Sequence, residues 1–226
     1  MTSPGFRIKK SFLRPAPELV KQFAGIPVAN IGDNMSRISC MNARIRPMNS
    51  VPLLGCAFTV RVRAGDNLLL HKAIDMAQPG DIIVIDAQGE SSYAIFGEIM
   101  VLWLRRRGIT GIVVDGCIRD YSAISKMDDF SVYATGVTPN GPLREGAGEI
   151  NFPIMCGGLV VNPGDIIVGD PDGIAVVSPA DANDVLAGAR AQNCKEAQAM
   201  KEIEAFVWDR AWVDVTLKAK GCEFIE

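Results

Sequence analysis

The chain has 226 residues, 48% hydrophobic and 22% charged, which is enough apolar content for a buried core and excludes disorder as its main state. Its 23 Lys and Arg against 26 Asp and Glu give a formal net charge of −3, so no bulk positive field is available to hold nucleic acid. A single histidine, His71, excludes any site built from two imidazoles of one chain and makes carboxylates the default metal ligands and acid–base groups.

The N-terminal stretch alternates basic and apolar residues without the apolar block of a signal peptide. The longest uncharged run, Ile150 to Gly164, is broken by Asn151, Pro153 and two adjacent glycines and falls short of the about 20 apolar residues needed to span a bilayer. Six cysteines (Cys40, Cys56, Cys117, Cys156, Cys194 and Cys222) form no Cys-x-x-Cys pair and read as free thiols in a reducing compartment. These features set the expectation of a soluble cytoplasmic protein with neither membrane nor nucleic acid as partner.

In chain order, short apolar runs bounded by Gly, Pro and Asp alternate with longer amphipathic stretches, the signature of an α/β class. A helix is predicted at Pro17–Phe23, followed by Asn30-Ile-Gly-Asp-Asn34, in which Asp33 reads as a helix cap. A strand at Ala57–Val62 leads through a second expected cap, Asp66, into a helix at Asn67–Ala77. The pattern then predicts a strand at Asp81–Asp86, a helix at Ser92–Arg107, a strand at Gly111–Asp115 and a helix at Tyr121–Met127. Strands follow at Ser131–Thr135, Leu159–Val161, Asp165–Gly169 and Gly173–Val177. The chain finishes with a long helix from Ala180 to about Phe206 and a further helical segment at Trp208–Lys218. The whole, 1–226, reads as one domain with a C-terminal helical extension from about residue 180, a helix suited either to a neighbouring subunit or to solvent.

An octapeptide nearly repeats, Pro79-Gly-Asp-Ile-Ile-Val-Ile-Asp86 and Pro163-Gly-Asp-Ile-Ile-Val-Gly-Asp170. Each copy is a Pro-Gly turn launching a β-branched strand, and the unbroken Ile/Val run implies burial on both faces. Two similar strand entries explain the repeat without any chemistry.

The chemistry concentrates between Gly97 and Asp120. There the sequence reads as a helix starting near Gly97, a turn at Gly108, a buried strand to Asp115 and a loop carrying Arg119 and Asp120. Loops beyond strand ends and helix starts are the usual ligand positions of α/β folds. Amides from Gly97 through Glu98 and Ile99 to Met100 lie at a helix start, where free N–H groups and the peptide dipoles favour an anion such as a carboxylate. Arg119 offers a planar, always-charged fork for a carboxylate or enolate oxygen. Asp120 supplies hard oxygen suited to Mg²⁺ or Mn²⁺, and Glu98 is placed to move a proton or hold a water. The same residues also suit a surface ion pair, a first-turn acid and a packing glycine.

The run Gly111-Ile-Val-Val-Asp-Gly-Cys-Ile-Arg-Asp120, preceded by Phe96-Gly-Glu98, resembles the signature of the RraA-like family, which includes 4-hydroxy-4-methyl-2-oxoglutarate/4-carboxy-4-hydroxy-2-oxoadipate aldolases. Ala64-Gly-Asp-Asn-Leu-Leu-Leu-His71, Pro79-Gly-Asp, Asn162-Pro-Gly-Asp165 and Asp170-Pro-Asp-Gly173 agree, so the similarity runs from about Ile31 to Val177. The resemblance implies a swivelling, layered α/β/α-type domain with a buried β core surrounded by helices. It implies a class II aldolase that releases pyruvate from a 4-hydroxy-2-keto acid, with oxaloacetate decarboxylation as a side activity. By the same resemblance Asp120 would bind Mg²⁺ or Mn²⁺, Arg119 would stabilise the enolate, and the amides of Gly97 to Met100 would hold substrate. Glu98 stands where the aldolases more typically carry aspartate and would orient water on the ion. Glu196 resembles a glutamate that reaches a neighbouring subunit's metal site, and a homotrimer or dimer of trimers is implied.

Regulators that bind ribonuclease E share the family. They commonly carry glycine where Glu98 stands and an acid three positions after the aspartate, where this chain has Ala123. A Schiff-base aldolase is the mechanistic rival, with Lys72 beside His71 in an apolar helix where burial would lower its pKa; the plainer reading has His71 structural and Lys72 reaching outward.

Overall fold

The computed structural model describes residues 3–225; Met1, Thr2 and Glu226 lie outside them. In chain order the elements are β1 (Phe6–Ile8), α1 (Pro17–Lys21), α2 (Val28–Asp33), β2 (Arg46–Pro47), β3 (Leu53–Val62), α3 (Leu68–Met76), β4 (Asp81–Ala94), α4 (Glu98–Arg106), β5 (Gly111–Ile118) and α5 (Tyr121–Ile124). They continue as β6 (Ser131–Ala134), β7 (Gly136–Val137), β8 (Gly148–Ile150), β9 (Ile154–Cys156), β10 (Leu159–Val161), β11 (Ile166–Asp170), β12 (Gly173–Val177), α6 (Ala182–Glu204) and α7 (Ala211–Ala219).

Four parallel strands, β3 to β6 in sequence order, form the centre, with α3, α4 and α5 as the crossovers between them. Antiparallel pairings extend this centre into a mixed sheet: β3 pairs β11 along Leu53–Cys56 and β8 along Val60–Val62, β12 pairs β11, and β2 pairs β6. The Ile/Val runs explain why the centre is buried on both faces. Along β4 the side chains alternate, Ile83 and Ile85 packing with the α3 and α4 residues Leu70, Ile74, Val101 and Leu104 on one face. Ile82 and Val84 pack with Ile154, Cys156 and Val161 of the β9–β10 hairpin on the other. A third cluster joins β11 and β12 to α1, α2 and α6 through Val28, Ile31, Val168, Val177, Val185 and Leu186. The result is a mixed α/β fold with helices flanking a central sheet, as the sequence led us to expect.

The two octapeptides flank β3, one as parallel β4 and one as antiparallel β11. Asp81 and Asp165 each accept the amide three residues back, from Gln78 and Asn162, and Asp86 and Asp170 each accept the amide two residues on. They are turn-closing carboxylates, which matches the reading that gave them no chemistry.

Several boundaries differ from expectation. The helix foreseen from Ser92 begins only at Glu98, because Glu90 and Ala94 pair with Gly116 and Cys117 and carry β4 to Ala94 past an irregularity at Gln88 and Gly89, both left-handed. Strand β5 likewise runs three residues beyond Asp115, and α5 is shorter than the helix foreseen. Helix α4 ends in a Schellman arrangement, with Gly108 at φ +77°, its amide on the Arg105 carbonyl and the Ile109 amide on that of Leu104. Asp33 is the last residue of α2, where it pairs with Arg37 at 2.8 Å and caps no helix start. Among the described residues no helix is long and apolar enough to cross a membrane.

Candidate active site

Strand pairing continues past the formal ends of β4 and β5. The Ile95 amide donates to the Cys117 carbonyl at 2.8 Å and the Arg119 amide to the Phe96 carbonyl at 3.1 Å, so residues 95–97 and 117–119 run side by side. Gly97 is needed there for space: its backbone is extended (φ −145°), but a Cβ would strike the Asp120 carboxylate and stand 2.9 Å from Cγ of Arg119. Asp120 adopts a left-handed conformation (φ 60°), which aspartate tolerates better than most residues. That turn brings its Oδ2 to 3.0 Å from the Glu98 amide, which donates to it.

The anion at the start of α4 is therefore the protein's own Asp120. Of the amides expected to hold substrate, that of Glu98 is occupied by Asp120 and that of Met100 donates to the Gly97 carbonyl at 3.2 Å. Those of Gly97 and Ile99 have no acceptor among the described residues. Arg119 Nε lies 3.6 Å from Asp120 Oδ2, and each side chain is 42% exposed, so this is a loose pair with the guanidinium open to a ligand.

These residues border a cleft of about 110 Å³ at the carboxyl ends of β4 and β5, lined by Gly97, Ile99, Met100, Arg119 and Asp120. Three further polar groups, Asn67, His71 and Arg144, line it as well. Asn67 is 2% exposed; its amide nitrogen donates to the Ile95 carbonyl at 2.9 Å, while Oδ1 is buried without a partner. His71 has its pKa lowered by burial and, secondarily, by the Arg144 charge, against a smaller opposing pull from Asp75. The sequence placed Asn67 and His71 within the Ala64–His71 segment of the resemblance without giving either a role in the site, read His71 as structural and singled out nothing at Arg144; the signal that joins the three is tertiary.

Asp66 does cap α3 through the Leu68 amide, as expected. Burial pushes its carboxyl up, but the amides of Gly146, Leu68 and Glu145, helped by Arg63, hold it below the ordinary value. Two expected residues, Glu98 and Glu196, do not meet in the cleft, and neither does the rival Lys72. Glu98 is half-buried and its side chain is not part of the lining. Glu196 sits on α6, where its two oxygens accept from Asn30 at 2.9 Å and Gln192 at 2.8 Å. Lys72 is exposed and outside the lining, so burial does not activate it as a Schiff-base amine. A larger groove of about 530 Å³ is lined by Asp165, Asp181 and Asp184 with no basic residue, which suits an anionic ligand poorly.

The sequence profile of the RraA-like family, described as Aldolase/RraA, matches residues 28–176, and the chain belongs to that family. A Halalkalibacterium halodurans protein named "Putative 4-hydroxy-4-methyl-2-oxoglutarate aldolase" is 40% identical over 186 residues, 82% of this chain and 86% of that protein. Among solved structures, Streptomyces coelicolor RraAS2, titled an unusual member of the RNase ES inhibitor RraA protein family, superposes with a TM-score of 0.73 at 26% identity, covering 83% of this chain and 100% of that one. An uncharacterized protein from Pseudomonas syringae pv. tomato shares the fold with a TM-score of 0.76 at 23% identity, covering 86% of this chain and 96% of that one.

Proposed function

We propose that this chain is a divalent-metal-dependent (class II) aldolase that cleaves 4-hydroxy-4-methyl-2-oxoglutarate or 4-carboxy-4-hydroxy-2-oxoadipate to pyruvate and a second 2-keto acid, with oxaloacetate decarboxylation as a side activity. The observation that carries this reading is the meeting of an open Arg119 and a half-exposed Asp120 in one cleft at the start of α4. The name of the Halalkalibacterium relative supports it.

The residues present fit Mg²⁺ or Mn²⁺. One oxygen of Asp120 takes the Glu98 amide and the other has no hydrogen-bond donor among the described residues. Magnesium characteristically accepts one or two carboxylates and completes its shell with water and substrate oxygens. When bound, the ion supplies Lewis acidity at the keto and carboxylate oxygens of the substrate.

The chain's own residues account for the remainder. The substrate carboxylate is met by the amides of Gly97 and Ile99. As the 4-hydroxyl proton leaves, its bonding pair makes C4 a carbonyl, the C3–C4 bond breaks and its pair forms the C2–C3 double bond of an enolate, and Arg119 stabilises the charge on the C2 oxygen more strongly than the ground-state ketone. Glu98, beside the cleft, takes the proton through an intervening water and returns it by the same route to C3, which gives pyruvate. Exposed apolar groups on α4 (Ile99 79%, Trp103 55%) and α7 (Trp212 60%, Val215 67%) support self-association, and a homotrimer or dimer of trimers is proposed. For Glu196 to serve a neighbour's site, its bonds to Asn30 and Gln192 must open.

Pyruvate release from 4-hydroxy-4-methyl-2-oxoglutarate should require Mg²⁺ or Mn²⁺ and stop in EDTA; activity that survives EDTA, or a borohydride-trapped adduct on Lys72, rejects the mechanism. The regulator reading draws on the likeness to RraAS2. Capture of ribonuclease E by a chain without turnover would favour it.

A further inference from the structure

The two copies of the octapeptide differ in a way that their turns do not explain. In each, the aspartate after Pro-Gly closes the turn with one oxygen: Oδ2 of Asp81 accepts the Gln78 amide and Oδ2 of Asp165 the Asn162 amide. At Asp81 a guanidinium completes the carboxylate, with Arg14 donating from Nε to Oδ1 at 2.9 Å and from a terminal nitrogen to Oδ2 at 2.8 Å. The segment that delivers Arg14 also passes the second turn, but brings only a backbone carbonyl to it, since a Cβ on Gly164 would stand 2.5 Å from the Leu13 oxygen. Asp165 is therefore the same turn carboxylate without a basic side chain upon it. It is 6% exposed; its Oδ2 takes the Asn162 amide at 2.7 Å and the Asn162 side chain at 3.4 Å, and its Oδ1 has no donor among the described residues.

That carboxylate lines the groove of about 530 Å³, to which Asp181 and Asp184 add two more acids and no Lys or Arg contributes. Asp184 belongs to the first turn of α6, where an acid answers the helix dipole in any case, so Asp165 carries the site and the other two add charge at its rim. Burial pushes the Asp165 carboxyl up against the opposing pull of the Asn162 bonds, the behaviour of a charge drawn out of water without a counter-charge. Leu159, Val176 and Val185 give the groove an apolar wall, which suits methylene groups behind a cationic head better than a hydrated metal ion. A guanidinium on such a chain offers Asp165 the donors that Arg14 offers Asp81.

We propose that this groove is a second ligand site that binds a guanidinium carried on a short methylene chain, with Oδ1 of Asp165 as its principal acceptor. No residue lines both the groove and the cleft, so the site stands apart from the aldolase reading. A free cation such as agmatine and an arginine side chain of a polypeptide present the same group, and the test separates the two.

The full chain is titrated calorimetrically with butylguanidine, its neutral isostere butylurea, agmatine and N-acetylargininamide, while NMR follows the amide resonances of Asn162, Gly164 and Asp165. Butylguanidine should bind and shift those resonances, and butylurea should do neither. Asp165→Asn should weaken butylguanidine by about 10-fold or more, as expected for one lost hydrogen bond to a buried charged group. The double variant Asp181→Asn/Asp184→Asn changes only exposed side chains, should weaken binding by about 2–5-fold, and decides the matter if Asp165→Asn fails to fold. Tighter binding of agmatine assigns the site to a free cation, and tighter binding of N-acetylargininamide assigns it to an arginine of a polypeptide. Equal binding of butylurea, unchanged affinity in a folded Asp165→Asn, or resonances that answer Mn²⁺ but not millimolar butylguanidine would each overturn the proposal.

Discussion

Two Arg–Asp pairs stand at opposite ends of the parallel strands, and they are built differently. At the start of β4, Asp81 is 1% exposed, receives Arg14 through two bonds of 2.9 and 2.8 Å, and accepts the Gln78 amide as well. Every oxygen there is committed, and the Arg14 pKa is raised, first by its hydrogen bond to Asp81 and against the effect of burial. Beyond β5, Arg119 and Asp120 are neighbours in sequence yet 3.6 Å apart, each 42% exposed, with donor and acceptor capacity left over. The difference teaches that the residue types do not distinguish a structural pair from a reactive one. Saturation does: the first pair holds the fold, and the second is open to a ligand.

If that contrast holds, the two pairs should fail in opposite ways. Arg119→Ala should lose about 10²–10³-fold in kcat, the size expected for removing one stabilising donor from the transition state, with Tm unchanged. Gly97→Ala should follow with about 10²-fold, because its Cβ displaces Asp120 and Arg119 together. Arg14→Ala should leave the turnover of folded molecules intact and cost roughly 3 kcal/mol of stability, a fall in Tm of about 6–12 °C, since it strands a buried carboxylate. Loss of turnover in Arg14→Ala without a fall in Tm would break the comparison.

Smaller effects sharpen it. With only one histidine in the chain, the imidazole resonance of His71 reports on the cleft directly. Burial and the Arg144 charge lower its pKa, so Arg144→Met should move its NMR titration midpoint upward, toward 6.5. Because the folded value is depressed, the stability contributed by neutral His71 is present above pH 6.5 and is lost as pH falls below it. Asp66 has the same sign at lower pH. Its contribution is present above 3.8 and lost as pH falls through the depressed folded value, so Asp66→Asn should flatten the acid limb of the stability curve.

The sheet was legible because β4 and β5 open on β-branched runs, Ile82–Ile85 and Ile112–Val114, whose burial on both faces follows from their composition. Where a helix pattern met a strand pattern, at Ser92 to Phe96, the sequence misled: pairing of Glu90 and Ala94 with β5 overrode local periodicity. At the cleft, Gly97, Arg119 and Asp120 announce themselves because strand, loop and helix start lie within one βαβ unit. Asn67, just before α3, and Arg144, on a loop more than 70 residues further along the chain, are brought together where the Glu145 and Gly146 amides donate to the Asp66 carboxylate, and no local pattern encodes that. The Glu98 amide at the start of α4 looked free in sequence because its occupant, Asp120, reaches it only through its left-handed backbone.

The central claim is that Asp120 holds the divalent ion while Asp81, equally acidic in sequence, holds only the fold. Mn²⁺ binding followed by EPR tests it most directly. Wild type and Arg14→Ala should each bind Mn²⁺, and Asp120→Ala should not, at protein concentrations where all three are folded. Undiminished Mn²⁺ binding by Asp120→Ala would contradict the account.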